Sequence, residues 1–200
     1  MKWIAPLSTY LAVAVGIFVF HSAWGALLGF HLAIVVSLLI AKPNIPIQSL
    51  FTAHKIKWLI LSVLLCGSSG VILYFAWNYF GFAGDLAAQI EVLGLNETTW
   101  PPFITYFALI NPWIEEYFWR GFLGNNTARL HISDFLYSGF HGLILINKVQ
   151  TGSILFALAA LVLAGWFWRQ VLREDKGLLA PVLGHMAADL TILLAVYFRA

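Results

Sequence analysis

The stretch Asn111-Pro-Trp-Ile-Glu115-Glu116-Tyr-Phe-Trp-Arg120 places two adjacent glutamates and an arginine inside a strongly apolar segment. A charged side chain at the centre of a bilayer costs about 2.5–3.5 kcal/mol on insertion scales, so such residues are rare there and mark functional sites. Two further apolar segments each carry a histidine, His141 and His185. Together these residues predict a helical membrane protein with an active site inside its bundle.

The composition places the chain among membrane proteins. Of its 200 residues, 61% are hydrophobic and 10% are charged, whereas about 25% are charged in an ordinary soluble domain. We therefore predict a single integral membrane domain over residues 1–200, with the lipid bilayer as its surroundings and no nucleic acid partner. The single cysteine, Cys66, excludes intrachain disulfides and cysteine-based metal sites.

Seven apolar segments have the length, about 20 residues, that a transmembrane helix needs. They cover roughly residues 3–21, 24–41, 58–81, 103–122, 132–147, 151–172 and 178–198. The predicted fold class is all-α, a polytopic bundle of about seven transmembrane helices.

The positive charges predict the orientation of this bundle. On the side of the N-terminus lie Lys2, Lys42, Lys55, Lys57, Arg129, Arg169, Arg173 and Lys176. The other side has Lys148 and Arg199, together with the acidic connection 82–101. Because positive charge accumulates on the cytoplasmic side, we expect a cytoplasmic N-terminus, in the cytoplasmic membrane of a bacterium or archaeon.

This topology gives three ionisable residues a common depth. Glu115, His141 and His185 lie about seven to nine residues from the cytoplasmic ends of their helices, which is about 10–14 Å at a rise of 1.5 Å per residue. Polar residues scattered by accident need not agree in depth. Their agreement predicts that they meet in one cavity open to the cytoplasm.

The spacing of the charged residues assigns them different tasks. Glu116 and Arg120 are four residues apart on one helical face and can form an ion pair, which is the usual condition for a buried charge. Glu115 lies about 100° around the helix from Glu116 and is free to act as a general base on a water molecule. His141 can hold or polarise the same water.

The last predicted helix supplies the remaining groups for amide hydrolysis. His185 can stabilise an oxyanion from the opposite side of the substrate. Asp189, one turn later, can orient the His185 imidazole or contribute to the oxyanion hole. Elsewhere, Asp134 is interpreted as a helix N-terminal charge favoured by the dipole. His21 and His31 have no acidic neighbours at helical spacing and are interpreted as packing or interfacial residues.

These motifs resemble those of the CPBP family of intramembrane proteases, which includes CAAX prenyl endopeptidases and Abi-like proteins linked to bacteriocin processing. The resemblance rests on Glu115-Glu116-x-x-x-Arg120, an aromatic residue four positions before His141, and His185-x-x-x-Asp189. The approach Gly177-Leu-Leu-Ala-Pro-Val-Leu-Gly-His185 is also similar. The similarity covers a catalytic core of about residues 100–195.

The resemblance implies a role for each residue. Glu115 would be the general base together with His141, while His185 and Asp189 would face the oxyanion. Glu116, Arg120 and the aromatic Tyr137 would support the site.

Two positions depart from the family pattern. Tyr137 stands where phenylalanine is commoner, and Asp189 stands where prenyl endopeptidases have asparagine. An ionised aspartate only accepts hydrogen bonds. We therefore favour Asp189 as the residue that orients His185. The chain also has one predicted N-terminal span fewer than eight-helix members.

Three alternatives stay open at this point. Glu115, His141 and His185 could hold zinc with an open coordination position, although no H-E-x-x-H motif is present and catalysis without a cofactor is favoured. A proton-coupled transporter would use Glu115 and Asp189 as proton carriers, but no inverted repeat of broken helices is visible. A non-catalytic scaffold or immunity protein is the third.

The favoured prediction is an intramembrane endopeptidase that cleaves a membrane-anchored peptide or protein. A prenylated tail, a bacteriocin leader and a C-terminal sorting segment all fit the sequence as its substrate.

Overall fold

A computed structural model describes residues 4–41, 43 and 45–200 of the chain. Its eight α-helices are α1 (Ala5–Phe18), α2 (Ala23–Ala41), α3 (Ile56–Phe75), α4 (Leu86–Val92), α5 (Trp100–Glu116), α6 (Ile132–Leu145), α7 (Thr151–Asp175) and α8 (Leu179–Arg199). Short 3₁₀ helices span Ile47–Phe51 and Trp77–Tyr79, and a π-helix, Tyr117–Phe122, continues α5. Within these described residues, β-structure is limited to an isolated bridge between Phe82 and Val149. The all-α fold class is confirmed.

Each of the seven predicted segments overlaps one α-helix. The exception to the prediction is α4, a helix of seven residues within the connection 82–101. Four helices, α2, α3, α7 and α8, are long and apolar enough to cross a membrane. Helix α1 has 14 residues, or about 21 Å of rise, which is less than the bilayer core of about 30 Å. The count of seven spans therefore stays a prediction.

The outside of the bundle is apolar. Large hydrophobic side chains face outward on several helices, among them Leu39 at 70% exposure and Phe75 at 81%. A soluble protein rarely exposes such a continuous apolar surface, whereas lipid-facing helices require it. The protein is an integral membrane protein.

Small residues let α3 and α8 approach closely. A Cβ atom at Gly184 would lie 2.7 Å from the Cβ of Ser62, and one at Gly70 would collide with the backbone of Thr191. Such contacts between small residues are the usual means by which membrane helices pack. His185 follows Gly184 directly, so this packing fixes the position of the imidazole.

Hydrogen bonds join loops that the predicted topology places at the same end of the bundle. At one end the buried Asp175 accepts hydrogen bonds from the backbone N–H groups of His54 and Lys55. At the other end the N–H of Ala83 donates to the carbonyl of Lys148. Lys2 and Lys42 lie outside the described residues. Which end faces the cytoplasm stays a prediction.

Candidate active site

The helix that carries the two glutamates is irregular on both sides of them. Pro112 lies inside α5 and lacks an N–H group, so the helix loses the backbone hydrogen bond that this position would make. After Glu116 the α-helix changes into the π-helix that contains Arg120. Short π-helical segments are frequent at functional sites.

Glu116 connects α5 to α8. Its Oε1 accepts one hydrogen bond from Arg120 Nη1 at 3.0 Å and a second from His185 Nδ1 at 2.8 Å. Exposure of these three residues is 3% or less. The ion pair expected from the spacing of Glu116 and Arg120 is present. Its direct contact with His185 was not predicted.

Aromatic rings enclose the Arg120 guanidinium. Its central carbon lies 3.9 Å from the ring centroid of Tyr137 and 4.8 Å from that of Trp168, within the range of cation–π attraction. Trp168 also stacks on His185, with centroids 4.8 Å apart and planes 21° apart. A Cβ at Gly165 of α7 would lie 3.1 Å from the Tyr137 ring, so a glycine there leaves room for this arrangement.

Glu115 has a different set of partners from Glu116. Its Oε2 accepts a hydrogen bond from the Trp119 indole N–H at 3.0 Å, and the residue is 2% exposed. Its electrostatic neighbours include His185, Asp189 and Arg120. The expected division of the two carboxylates between two faces of the helix is therefore present.

His141 approaches from α6 with one ring nitrogen engaged. Its Nδ1 lies 3.1 Å from the backbone oxygen of Tyr137, and because a carbonyl oxygen only accepts, Nδ1 carries the proton. In the neutral ring this leaves Nε2 as the nitrogen that can accept one. The Tyr137 ring centroid lies 5.3 Å from that of His141 and 6.0 Å from that of His185. Tyr137 thus contacts both histidines.

Each ring nitrogen of His185 faces a carboxylate. Nδ1 contacts Glu116, and Nε2 lies 3.5 Å from Asp189 Oδ1. The long Nε2 contact fits an orienting role for Asp189. Because Nδ1 is already bonded to Glu116, Nε2 is the ring nitrogen of His185 that remains for a further partner.

Two residues without a predicted role extend the site. Asn111 Nδ2 donates to Asp189 Oδ2 at 3.2 Å, and His31 Nε2 lies 2.9 Å from Asn111 Oδ1. His31 is 5% exposed, which agrees with the packing alternative of its interpretation. Asn111 could have been found from its position one turn before Glu115 in an apolar helix. His31 offered no such signal, because its partner is 80 residues away in sequence.

Most residues of the site are buried, and two cavities of the molecule lie elsewhere. They have volumes of about 290 and 690 Å³, and α4 contributes residues to both. The end of α1 and the segment after α6 complete the smaller cavity, and the end of α8 contributes to the larger one. None of the predicted catalytic residues lines either cavity. Burial lowers the pKa of Lys148, which lines the smaller one. Within the site, His141 and Asp189 are the partly exposed residues.

In the described part of the chain, no group of three or more His, Cys, Asp or Glu side chains is arranged to hold a metal ion. Chelation of the purified protein tests the zinc alternative directly.

Residues 97–191 match the family model described as type II CAAX prenyl endopeptidase Rce1-like. This segment is similar to Rce1-like domains. The match contains the whole predicted site, from Glu115 to Asp189, and confirms the resemblance to CPBP proteases. It implies an endopeptidase embedded in the membrane. Neither curated proteins nor solved structures gave a match to the chain. Helix α2, with His31, lies outside the matched residues.

Proposed function

We propose that the protein is an intramembrane endopeptidase in which Glu115 and His141 activate a water molecule. Two contacts of His185 on α8 support this proposal. Its ring lies beside Tyr137 of α6, which also contacts His141, and it is an electrostatic neighbour of Glu115 on α5. All four residues lie within the segment that matches the protease family. Amide hydrolysis needs a general base, a second group that holds the attacking water, and a hydrogen-bond donor to the oxyanion. Glu115, His141 and His185 are proposed for these roles in that order.

The proposed reaction begins with water held between Glu115 and His141 Nε2. Glu115 takes a proton as the water oxygen attacks the scissile carbonyl carbon. In this step His185 is the imidazolium: its Nδ1–H donates to Glu116, and its Nε2–H donates a hydrogen bond to the developing oxyanion. Glu115 then returns its proton to the leaving amine, so the base is regenerated and the amide bond is broken.

The proposed substrate is a membrane-anchored peptide with a prenylated C-terminal tail. Support comes from the family description, CAAX prenyl endopeptidase, and from the apolar surface, since a lipidated tail reaches a buried site through the bilayer. The proposed orientation has the N-terminus in the cytoplasm, because the loops with most lysines and arginines then face inward.

The test uses purified protein in detergent micelles and two peptides. One peptide ends in a farnesylated CAAX sequence, and the other is its unprenylated match. We expect the wild-type protein to release the C-terminal fragment of the farnesylated peptide, detected by mass spectrometry. Glu115→Ala and His141→Ala should each lower the rate on the order of 10²–10⁴-fold, the usual contribution of general acid–base catalysis.

Glu91→Ala is the matched control, because Glu91 is exposed and lies on α4, away from the site. It should cleave like the wild type. Failure of folded wild-type protein to cut the farnesylated peptide would count against this substrate. Near-normal cleavage by Glu115→Ala would overturn the glutamate mechanism.

A further inference from the structure

A continuous line of hydrogen-bonded polar groups reaches Asp189 and includes His31, which lies outside the family-matched segment. Tyr106 Oη lies 3.2 Å from His31 Nδ1, His31 Nε2 lies 2.9 Å from Asn111 Oδ1, and Asn111 Nδ2 lies 3.2 Å from Asp189 Oδ2. We propose that His31 is a positioning residue for Asp189, acting through the Asn111 amide. This inference rests on the proposed function, because it assigns a task within the same site.

The donor and acceptor properties of these groups determine which group donates in each hydrogen bond of the line. An amide oxygen only accepts, so His31 Nε2 must carry the proton that it donates to Asn111. In neutral His31 the Nδ1 atom is then an acceptor, and the Tyr106 hydroxyl donates to it. The Asn111 NH₂ group, with its oxygen turned to His31, donates to the Asp189 carboxylate. Each donor in the line therefore points toward Asp189.

His31 decides which way the Asn111 amide faces. Without a donor at His31, the amide is free to rotate and present its oxygen to Asp189 Oδ2. Two acceptors would then face each other, and Asp189 would turn away. Because Asp189 is 3.5 Å from His185 Nε2, a rotation of its carboxylate changes the nitrogen that is proposed to face the oxyanion.

Because the central residues of the line are buried, the loss of one hydrogen bond is costly. Asn111 is 1% exposed and His31 is 5% exposed, so water has little access to replace a lost partner. The neighbours of His31 include Phe30 and Tyr106, whose ring centroids lie 6.0 and 5.6 Å away. A packing histidine would have the same neighbours, and the experiment therefore has to separate donation from packing.

The first measurement does not depend on proteolysis. The protein is labelled with ¹⁵N-histidine in micelles, and the ring nitrogens of His31 and His185 are recorded by NMR. Wild-type His31 should be the Nε2–H tautomer. His31→Leu should shift the His185 signals, whereas His31→Gln, whose amide N–H replaces the Nε2 donor, should leave them close to wild type. Unchanged His185 signals in His31→Leu, or a Nδ1–H tautomer, would overturn the proposal.

The second measurement uses the kinetics of peptide cleavage. His31→Leu should lower kcat roughly tenfold, the scale of an outer-shell partner, with KM unchanged, and His31→Gln should restore most of that loss. In an Asp189→Ala background, His31→Leu should have no further effect on kcat. His21→Asn is the control, since His21 is exposed and asparagine tolerates its positive φ of 48°.

If His31→Leu lowers kcat by the same factor in the wild-type and the Asp189→Ala proteins, His31 acts on packing and not through Asp189. If His31→Leu does not fold, His31→Asn replaces it, because its shorter amide keeps polarity but does not reach Asn111. Equal rates for His31→Asn and His31→Gln would overturn the proposal. If the wild-type protein cleaves no peptide, the NMR measurement still decides the inference, so the two failures are distinguishable.

Discussion

The molecule contains two buried arginine–carboxylate pairs whose surroundings differ. Arg169 of α7 binds Asp134 of α6 through two hydrogen bonds, from Nε at 3.0 Å and from Nη2 at 2.7 Å. Its other N–H groups donate to the carbonyls of Thr127 and Arg129 and to the Asn125 side chain. All nitrogens of this guanidinium are therefore bonded.

The Glu116–Arg120 pair is less complete. A single hydrogen bond joins the two residues, and the same Oε1 atom also accepts from His185. Glu116 Oε2 and Arg120 Nη2 are buried without a hydrogen-bond partner among the described residues. Cation–π contacts with Tyr137 and Trp168 compensate only part of this loss.

The difference separates a structural pair from a functional one. Fully bonded buried pairs hold elements together, and Arg169 does this for the 125–129 loop, α6 and α7. Incompletely bonded buried groups are costly and need another reason to persist. For Glu116 that reason is His185, which it orients for the proposed reaction.

The largest expected effect is on the stability of the structural pair. Breaking a buried pair costs about 3–5 kcal/mol, and we expect Arg169→Met to reach the upper end of this range in free energy of unfolding. Arg120→Met should lie at the lower end, because Arg120 loses a single hydrogen bond. Thermal unfolding in detergent measures both. A larger loss for Arg120→Met would reverse our assignment of the two pairs.

The next largest expected effect is a lower cleavage rate when Asp189 is replaced. An orienting carboxylate stabilises the charged form of His185, and its amide isostere keeps the shape but loses that charge. We expect Asp189→Asn to lower kcat by roughly tenfold, with Asp189→Ala lower still, toward the 10²-fold loss, about 2.7 kcal/mol, of an oxyanion-hole group. Steady-state cleavage assays decide this. An Asn variant faster than the wild type would make residue 189 a direct oxyanion donor.

A smaller effect concerns the coupling within the Glu116–Arg120 pair. Glu116→Gln and Arg120→Met each leave a buried group without its partner, and the double variant removes both charges. We expect a coupling free energy of about 1–2 kcal/mol in unfolding, within the range for residues in contact. A double-mutant cycle on thermal stability provides it, and strict additivity would contradict the pairing.

No effect is expected from chelation. The favoured mechanism uses no metal, so exhaustive treatment with a chelator should leave the cleavage rate unchanged, and elemental analysis should find substoichiometric zinc. Loss of activity that zinc alone restores would turn Glu115, His141 and His185 into metal ligands.

The sequence predicted the parts of the site that depend on helical spacing. Glu116 and Arg120, four residues apart, form the expected pair at 3.0 Å, and His185 and Asp189, also four apart, lie within 3.5 Å. Asp134 lies in the first turn of α6, as its helix-dipole interpretation required. These contacts are local, so apolar context and periodicity are enough to predict them.

Helical spacing does not predict which residues of different helices form a pair. His185 reaches Glu116 across 69 residues, and nothing in the spacing of either motif specifies which glutamate it meets. Arg169 was counted among the loop charges that set the orientation, yet it is 1% exposed and bonded to Asp134. The end of α1 at Phe18 was also not visible, because the apolar residues Val19 and Phe20 follow it. Helix α6, in contrast, ends within two residues of its predicted segment.

The division of labour between the adjacent glutamates is the central claim, and one comparison tests it most directly. Glu115→Gln and Glu116→Gln are assayed side by side for peptide cleavage at matched folded fractions. Loss of the base should lower kcat on the order of 10³-fold or more in Glu115→Gln, while Glu116→Gln keeps a reduced but measurable rate. The account would be contradicted if Glu115→Gln cleaved as fast as Glu116→Gln, or faster.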